Sequence, residues 1–160
     1  LDADVIVWTG GVCGSQSLQL LGLPIEQHGK RIEVNSLFEV AGKDRAYAIG
    51  DAALAMDPLT KTPVPQIAQT AIAAGKLVGY NIAAGVRGGK VRSFSFTKWP
   101  IIVTLGGKYA VGEYKDRHFK GFFGWLLREA ADFRYFYSIL SLYKALRLYI
   151  RDVTTYTQND

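Results

Sequence analysis

The sequence is poor in the residues that build metal centres and disulfide frameworks. Its 160 residues include one cysteine, Cys13, and two histidines. One thiol cannot form an intramolecular disulfide, which is typical of a reducing compartment, and these few scattered ligands do not predict a zinc site. We therefore expect a chain that binds no metal.

Targeting and membrane-spanning segments are also lacking. The opening LDADVIVW has no basic segment followed by an apolar one, so it predicts no signal peptide and favours a piece of a longer protein. Within residues 115–151 the longest uncharged run, Tyr135–Tyr143, has nine residues, whereas a spanning helix needs about 20. We expect no helix in this region to cross a bilayer.

A complete dinucleotide-binding fingerprint is missing as well. In TGGVCGS, Gly11 and Gly14 fit the last two glycines of the pattern G-x-G-x-x-G, but Thr9 stands in place of the first. The sequence therefore lacks a pyrophosphate-binding turn of its own.

The segments that are present predict an α/β fold. DVIVW and AYAIG are apolar runs typical of buried strands, and RIEVN alternates. The alanine-rich segment from about Pro65 to Ala84 predicts a helix, because a proline stands at its start and Gly85 follows its end. SFSF, IIVTLG and YAVGEY predict an antiparallel meander or hairpin.

The stretch AYAIGDAA places a charged residue directly after a predicted strand. Gly50 permits a tight turn, and Asp51 would then lie at the carboxyl end of the strand, where open α/β sheets bind ligands. The alternative is a carboxylate that only caps a turn. The local pattern leaves both interpretations open.

The C-terminal region has a different character. Residues 115–151 contain eight Lys or Arg against three acids, which accounts for the whole formal net charge of +5. On a helix the polar residues would form one narrow stripe, consisting of Arg134, Ser138, Ser141, Lys144, Arg147 and Arg151. The stripe has too few cations on one line to follow a phosphate backbone, so nucleic acid is not an expected partner.

The wide apolar and aromatic face beside this stripe predicts a segment that lies on an anionic membrane surface. The predicted membrane-contacting residues are Phe122, Phe123, Trp125, Phe133, Phe136, Tyr137, Leu140 and Tyr143. The alternative is that this face packs on another part of the protein or on a second subunit.

Six segments occur in the same order as in a known family. They are VIVWTGGV, RIEVN, AYAIGDAA, PVPQIAQTAIAAG, VTLGGKYAVG and the amphipathic C-terminal end. Together they resemble the C-terminal part of a type II NADH:quinone oxidoreductase, a single-subunit flavoprotein of the two-dinucleotide-binding-domain class within the pyridine nucleotide-disulfide oxidoreductase superfamily. The resemblance covers nearly all of the chain.

This resemblance implies a partial flavoprotein fold. Residues 1–92 would form the C-terminal half of the FAD-binding domain with the return from the NADH domain. Residues 93–118 would form a β hairpin region, and residues 119–160 would form amphipathic C-terminal helices that associate with a membrane.

The resemblance also implies residues that contact FAD. Asp51 matches the family's acidic residue that hydrogen-bonds a ribityl hydroxyl of FAD, and Gly50 and Ala52 would let the cofactor lie close to the backbone. The segment formed by Gln66, Ile67 and Ala68 matches the helix start beneath the isoalloxazine ring.

The resemblance further implies a residue that contacts quinone. Gln69 matches a family glutamine that borders the quinone headgroup, whereas Ala73 replaces the second glutamine of the family pattern. The alternative for Gln69 is an amide on the helix surface.

The implied function is the transfer of electrons from NADH through FAD to a membrane quinone, without proton pumping. Such an enzyme would be peripheral at the cytoplasmic face of the cell membrane. Two alternatives stay open: a related flavoprotein, such as a sulfide:quinone or ferredoxin reductase, and a non-catalytic membrane-surface or interaction module. Because both family glycine motifs would lie upstream, we expect the isolated chain to be inactive. Its unpaired sheet edge predicts a homodimer or association with a complementary N-terminal fragment.

Overall fold

A computed structural model describes residues 4–7 and 10–157. The chain divides into two compact units, the first ending at Thr97 and the second beginning at Lys98. Helices, a parallel strand pair and an antiparallel sheet are all present, which is compatible with the expected α/β class.

The first unit contains a short parallel strand pair. Strand β1 (Ile32–Glu33) pairs with β2 (Ala53–Leu54), so that Ile32 lies opposite Ala53. Beneath the strands lies one apolar cluster, in which Phe38 is 2% exposed and contacts Phe94 edge to face at 4.9 Å between ring centroids. The other members of the cluster are Ile32, Val40, Ala48, Ala53, Ala55, Val64, Ala74 and Val78.

The prediction of strands at two segments of the first unit, DVIVW and AYAIG, is wrong. Residues Val5, Ile6 and Val7 of DVIVW form no strand and are 71–77% exposed, while Trp8 lies outside the described residues. In AYAIG, only Tyr47 makes an isolated bridge, and β2 begins after the turn instead of before it. An apolar segment forms a β-strand only when it pairs with a neighbouring strand. No such partner pairs with Val5, Ile6 and Val7 among the described residues.

Helix α1 (Ala68–Val86) confirms the predicted alanine-rich helix. It buries Thr70, Ala74, Val78 and Asn81, which recur every three or four residues and therefore lie on one face. At its far end the Asn81 amide exchanges two hydrogen bonds of 2.8 Å with the backbone of Arg92. The helix is thus anchored to the following loop.

The second unit begins with a three-stranded antiparallel sheet, which confirms the predicted pairing of IIVTLG with YAVGEY and adds a third strand that was not predicted. The strands are β3 (Ile101–Thr104), β4 (Ala110–Tyr114) and β5 (Arg117–Gly121), in that spatial order. Lys115 and Asp116 alone connect β4 to β5, with φ values of 47° and 63°, as in a type I′ turn. The predicted segment SFSF is not a strand; its Phe94 belongs to the core of the first unit.

The sheet is followed by two helices, α2 (Phe122–Ile139) and α3 (Leu142–Thr157). Gly124 lets α2 lie directly on β4, since a Cβ there would stand 2.8 Å from the carbonyl oxygen of Ala110. The chain leaves the helical conformation at Leu140, where φ is −125° and ψ is 159°. The prediction of one continuous polar stripe is therefore wrong. Arg134 and Ser138 lie on α2, Lys144, Arg147 and Arg151 lie on α3, and Ser141 lies between the two helices.

Candidate functional site

The turn after the predicted strand position lies against the beginning of α1. Residues Gly50–Ala52 form one turn of 3₁₀ helix, and Gly50 has a φ of 66° that favours glycine. A Cβ at Gly50 would lie 3.6 Å from the Cβ of Ala71, so the turn approaches the helix closely. The amide of Gln66 donates a hydrogen bond of 2.9 Å to the carbonyl oxygen of Asp51, which ties the turn to the segment before α1.

A small cavity lies between the turn and the helix. It encloses about 10 Å³, which is room for one water-sized group. Its lining consists of Phe38, Gly50, Asp51, Ala53, Ala55, Val64, Pro65, Gln66, Ile67, Thr70 and Ala71. Asp51 is the one ionisable residue in this lining, and its side chain is exposed.

The beginning of α1 is open to a hydrogen-bond acceptor. Its N-cap is Ile67, which has no side-chain oxygen, and no side-chain capping hydrogen bond forms there. The first N–H groups of a helix have no acceptor within the helix, and the aligned peptide dipoles make this end partly positive. The arrangement favours an electron-rich oxygen at this position.

Thr70 is a site residue that sequence reasoning missed. Its side chain is only 9% exposed, and its hydroxyl has no hydrogen-bond partner. The residue lines the cavity together with Asp51 and Gln66. The only sequence signal was a hydroxyl residue in a helix otherwise rich in alanine, and that pattern does not reveal burial.

The structure brings together four of the predicted cofactor-contacting residues. Gly50, Asp51, Gln66 and Ile67 all line the cavity. Ala52, Ala68 and Gln69 lie outside its lining, with Ala68 exposed and the other two half-buried.

The predicted membrane-contacting residues form two groups. Phe122, Phe123, Tyr137 and Tyr143 are exposed, the first two at 59% each. Trp125, Phe133, Phe136 and Leu140 are half-buried.

Two of the half-buried aromatic rings pack within the second unit. The Trp125 ring lies 5.4 Å from that of Phe122 and has the Lys108 ammonium 5.8 Å from its centroid. Phe133 contacts Tyr149 of α3 edge to face, at 5.4 Å between centroids.

An open cleft of about 310 Å³ lies between α2 and α3. It is lined by Leu126, Glu129, Ala130, Phe133, Leu146 and Tyr149. Partial burial, together with the nearby charge of Asp132, raises the pKa of the Glu129 carboxyl. Burial and the Glu129 charge likewise raise the pKa of the Tyr149 hydroxyl.

The described residues, 4–7 and 10–157, contain neither a bilayer-spanning helix nor a cluster of metal ligands. None of the helices in these ranges has the combined length and hydropathy of a bilayer-spanning helix. The same residues contain no cluster of three His, Cys, Asp or Glu side chains that could hold a metal ion.

Curated proteins confirm the resemblance that the motifs predicted. A type II NADH:quinone oxidoreductase of Staphylococcus aureus is 25% identical over 139 residues, which is 87% of this chain and 34% of that protein. The enzyme of the same name from Staphylococcus saprophyticus is 25% identical over 121 residues, which is 76% of this chain and 30% of that protein. No protein-family profile matches the chain. The chain thus spans about a third of the length of the relatives it matches.

Proposed function

We propose that this chain is the C-terminal part of a FAD-containing oxidoreductase that passes electrons from NADH to a membrane quinone. The observation that supports this most directly is the meeting of the Gly50–Ala52 turn with the uncapped start of α1. It is supported further by the similarity to enzymes named type II NADH:quinone oxidoreductases.

The residues at this place fit FAD in three respects. Gly50 permits close approach of the backbone, the start of α1 offers free N–H groups, and the buried Thr70 hydroxyl has no partner within the protein. FAD, when bound, supplies the redox chemistry that no amino-acid side chain provides. The residues proposed to hold it are Gly50, Asp51, Ala52, Gln66, Ile67 and Ala68.

The part played by each group follows from its chemistry. The ionised carboxylate of Asp51 only accepts hydrogen bonds, so it suits a sugar-like hydroxyl such as those of the ribityl chain. Gln66 holds the Asp51 backbone in place through its 2.9 Å hydrogen bond. The positive end of α1 stabilises negative charge that develops beside it during electron transfer.

The quinone site is proposed at Gln69, one residue into α1. Gln69 is half-buried and keeps an amide available, while Ala73 one turn later leaves the surroundings apolar. An apolar pocket with a few polar groups is typical of sites for small ring compounds.

The first unit is proposed to be half of a domain. Its only regular sheet in the described residues has two strands of two residues each, and so small a parallel sheet is not stable alone. An N-terminal segment, or a second copy of the chain, would add strands and cover Val5, Ile6 and Val7. We propose that residues 1–92 belong to this half-domain, residues 93–118 to the hairpin region and residues 119–160 to the membrane-associating region; the compact first unit itself continues to Thr97. The isolated chain is expected to bind FAD and NADH weakly and to have no turnover.

The second unit is proposed to place the enzyme on the cytoplasmic face of the cell membrane. Its helices expose Phe122, Phe123, Tyr137 and Tyr143 in a region with a net charge of +5 over residues 115–151. Each cation near an anionic surface contributes about 1 kcal/mol, and the aromatic residues add apolar burial. A lipid-soluble quinone could then enter from the bilayer.

The test is the substitution Asp51→Ala in the full-length protein, with exposed Asp44→Ala as the matched control. Loss of the charged acceptor should cost about 1.5–3 kcal/mol of FAD binding. Flavin absorbance after desalting should fall for the first variant and stay at the wild-type level for the second. Equal retention in all three proteins would remove Asp51 from the site, and a wild-type protein without flavin would favour the interaction module. A flavoprotein that reduces a quinone with NADH but not with sulfide or ferredoxin would exclude the related reductases.

A further inference from the structure

We propose that the Thr70 hydroxyl donates a hydrogen bond to a carbonyl oxygen of the flavin pyrimidine ring and is left without a partner until that ring binds. The inference rests on the proposed function, because it names a residue of the same FAD site. It adds a contact that the sequence motifs did not include.

The buried hydroxyl of Thr70 is energetically unfavourable in the chain alone. Thr70 is 91% buried, being 9% exposed, and its oxygen finds no acceptor or donor. A hydroxyl on a helix can bond to the carbonyl one turn earlier, yet no such bond forms here. Because a buried polar group without a partner destabilises a protein, its presence points to a partner from outside the chain.

The cavity beside Thr70 suits a single oxygen atom in size and in chemistry. The cavity is partly open and has about 10 Å³ of space for a water-sized group, which is room for one oxygen atom. No lysine or arginine stands in its lining, and the one charged group there is the Asp51 carboxylate. A fully charged anion would therefore find no cationic side chain here, whereas a carbonyl oxygen needs only the hydrogen-bond donors at the start of α1.

The backbone N–H groups beside Thr70 are hydrogen-bond donors, so they suit an acceptor. The uncapped start of α1 presents N–H donors next to Thr70, which is the third residue of the helix. A hydroxyl beside these donors completes a set that suits one acceptor. A ring carbonyl that gains electron density on reduction is such an acceptor, and it could accept from both sources.

The variants Thr70→Val and Thr70→Ser in the full-length protein test the proposal. Valine keeps the branched shape but removes the hydroxyl, while serine keeps the hydroxyl. Titration of the flavin-free proteins with FAD should give a dissociation constant about tenfold higher for the valine variant and near the wild-type value for the serine variant. Thermal unfolding of the flavin-free valine variant should occur at the same or a higher temperature, because an unpaired polar group has been removed.

A structural role for Thr70 makes the opposite prediction for unfolding. If Thr70→Val lowers the unfolding temperature of the flavin-free protein, or binds FAD as tightly as wild type, the proposal is overturned. Loss of affinity in the serine variant to the same extent would also overturn it. A wild-type protein that binds no FAD would instead overturn the proposed function itself, so the two failures are distinguishable.

An infrared measurement keeps the test independent of stability. FAD labelled with ¹³C at one pyrimidine carbonyl or the other is loaded into wild type, Thr70→Val and Thr70→Ala. A hydrogen bond lowers a carbonyl stretching frequency, so one of the two labelled bands should move to higher frequency when the hydroxyl is removed. Bands that coincide in all three proteins would overturn the proposal even if one variant folds poorly.

Discussion

The two units of this chain bury their apolar residues to different degrees. In the first unit ten apolar side chains form one buried cluster around Phe38. Among the described residues of the second unit, only the small Ala110 and Ala145 are buried apolar residues, whereas Phe122, Phe123 and many other large apolar side chains are exposed. The first unit is thus stabilised by a core of its own. The second unit has a regular sheet and two helices, yet its large apolar side chains stay at least partly exposed, which is the feature on which the proposed membrane contact rests.

The largest effect is expected for Phe38→Ala in the full-length protein, which tests whether the first unit is stabilised by its own apolar core. Phe38 is 2% exposed and packs on Phe94, so its truncation should lower the free energy of unfolding by about 3–5 kcal/mol. The control Phe123→Ala removes the same ring at a position that is 59% exposed and should change stability by less than about 0.5 kcal/mol. Urea denaturation measures both. Equal losses would show that exposure in this structure does not report which unit has a core.

The next largest effect concerns membrane binding. The double variant Phe122→Ser with Phe123→Ser should bind vesicles containing anionic lipid about tenfold or more weakly, because each inserted aromatic ring contributes about 1.5–3 kcal/mol when fully buried. Leu20→Ser with Leu59→Ser is the matched control, since these leucines of the first unit are also highly exposed. Sedimentation with vesicles measures both. If the two double variants lose binding equally, the apolar surface of the second unit is not the docking surface.

A smaller effect is expected at the turn between β4 and β5. Lys115 and Asp116 both have positive φ, a conformation that Asn and Gly adopt at lower cost. Replacing the pair by Asn and Gly should stabilise the protein by about 0.5–1 kcal/mol. Replacing both by valine should destabilise it, because branched residues resist this conformation. Thermal unfolding would contradict the turn assignment if the two double variants shifted in the same direction.

The smallest effect is a dependence on pH at the α2–α3 cleft. Burial first, and then the charge of Asp132, raise the pKa of Glu129 in the folded protein above its ordinary value of 4.5. The folded state therefore holds this proton more strongly than the unfolded state, and stability falls as pH rises from the unfolded pKa through the raised folded pKa. Glu129→Gln should remove that fall.

The measurement is the unfolding temperature from acid to neutral pH. Glu113→Gln, an exposed carboxylate of the same unit, is the control. A wild-type profile that runs parallel to that of the Glu129→Gln variant across this range would contradict the assignment of the pH dependence to the cleft.

The sequence predicted the features that depend on local chemistry. Pro65 and the following alanines located α1 to within three residues of its start, because helix signals are local. Gly50 was recognised as a turn residue for the same reason, since its positive φ is a property of glycine itself. The antiparallel pair formed by β3 and β4 was predicted from apolar strand segments separated by glycines, whereas β5 was not.

Features that depend on distant partners could not be predicted. The apolar run at Val5, Ile6 and Val7 is typical of a strand, but pairing requires a neighbour that a sequence pattern does not specify. The buried position of Thr70 results from the way α1 packs on the turn, which no spacing rule contains. The helix ends before Leu140 although no glycine or proline lies nearby, so the usual helix stop signals did not predict this end.

The interruption between α2 and α3 affects how the C-terminal region could lie on the proposed membrane surface. A single amphipathic helix can rotate about its long axis, so its contact with a membrane fixes only the direction of that axis. Here α2, with 18 residues and a length of about 27 Å, lies beside α3 and touches it through Phe133 and Tyr149. Two helices packed side by side cannot rotate independently in this way. Once such a pair lies flat, the β4 strand that Gly124 holds against α2 is held at a set tilt as well, and the orientation of the whole second unit follows from a single contact.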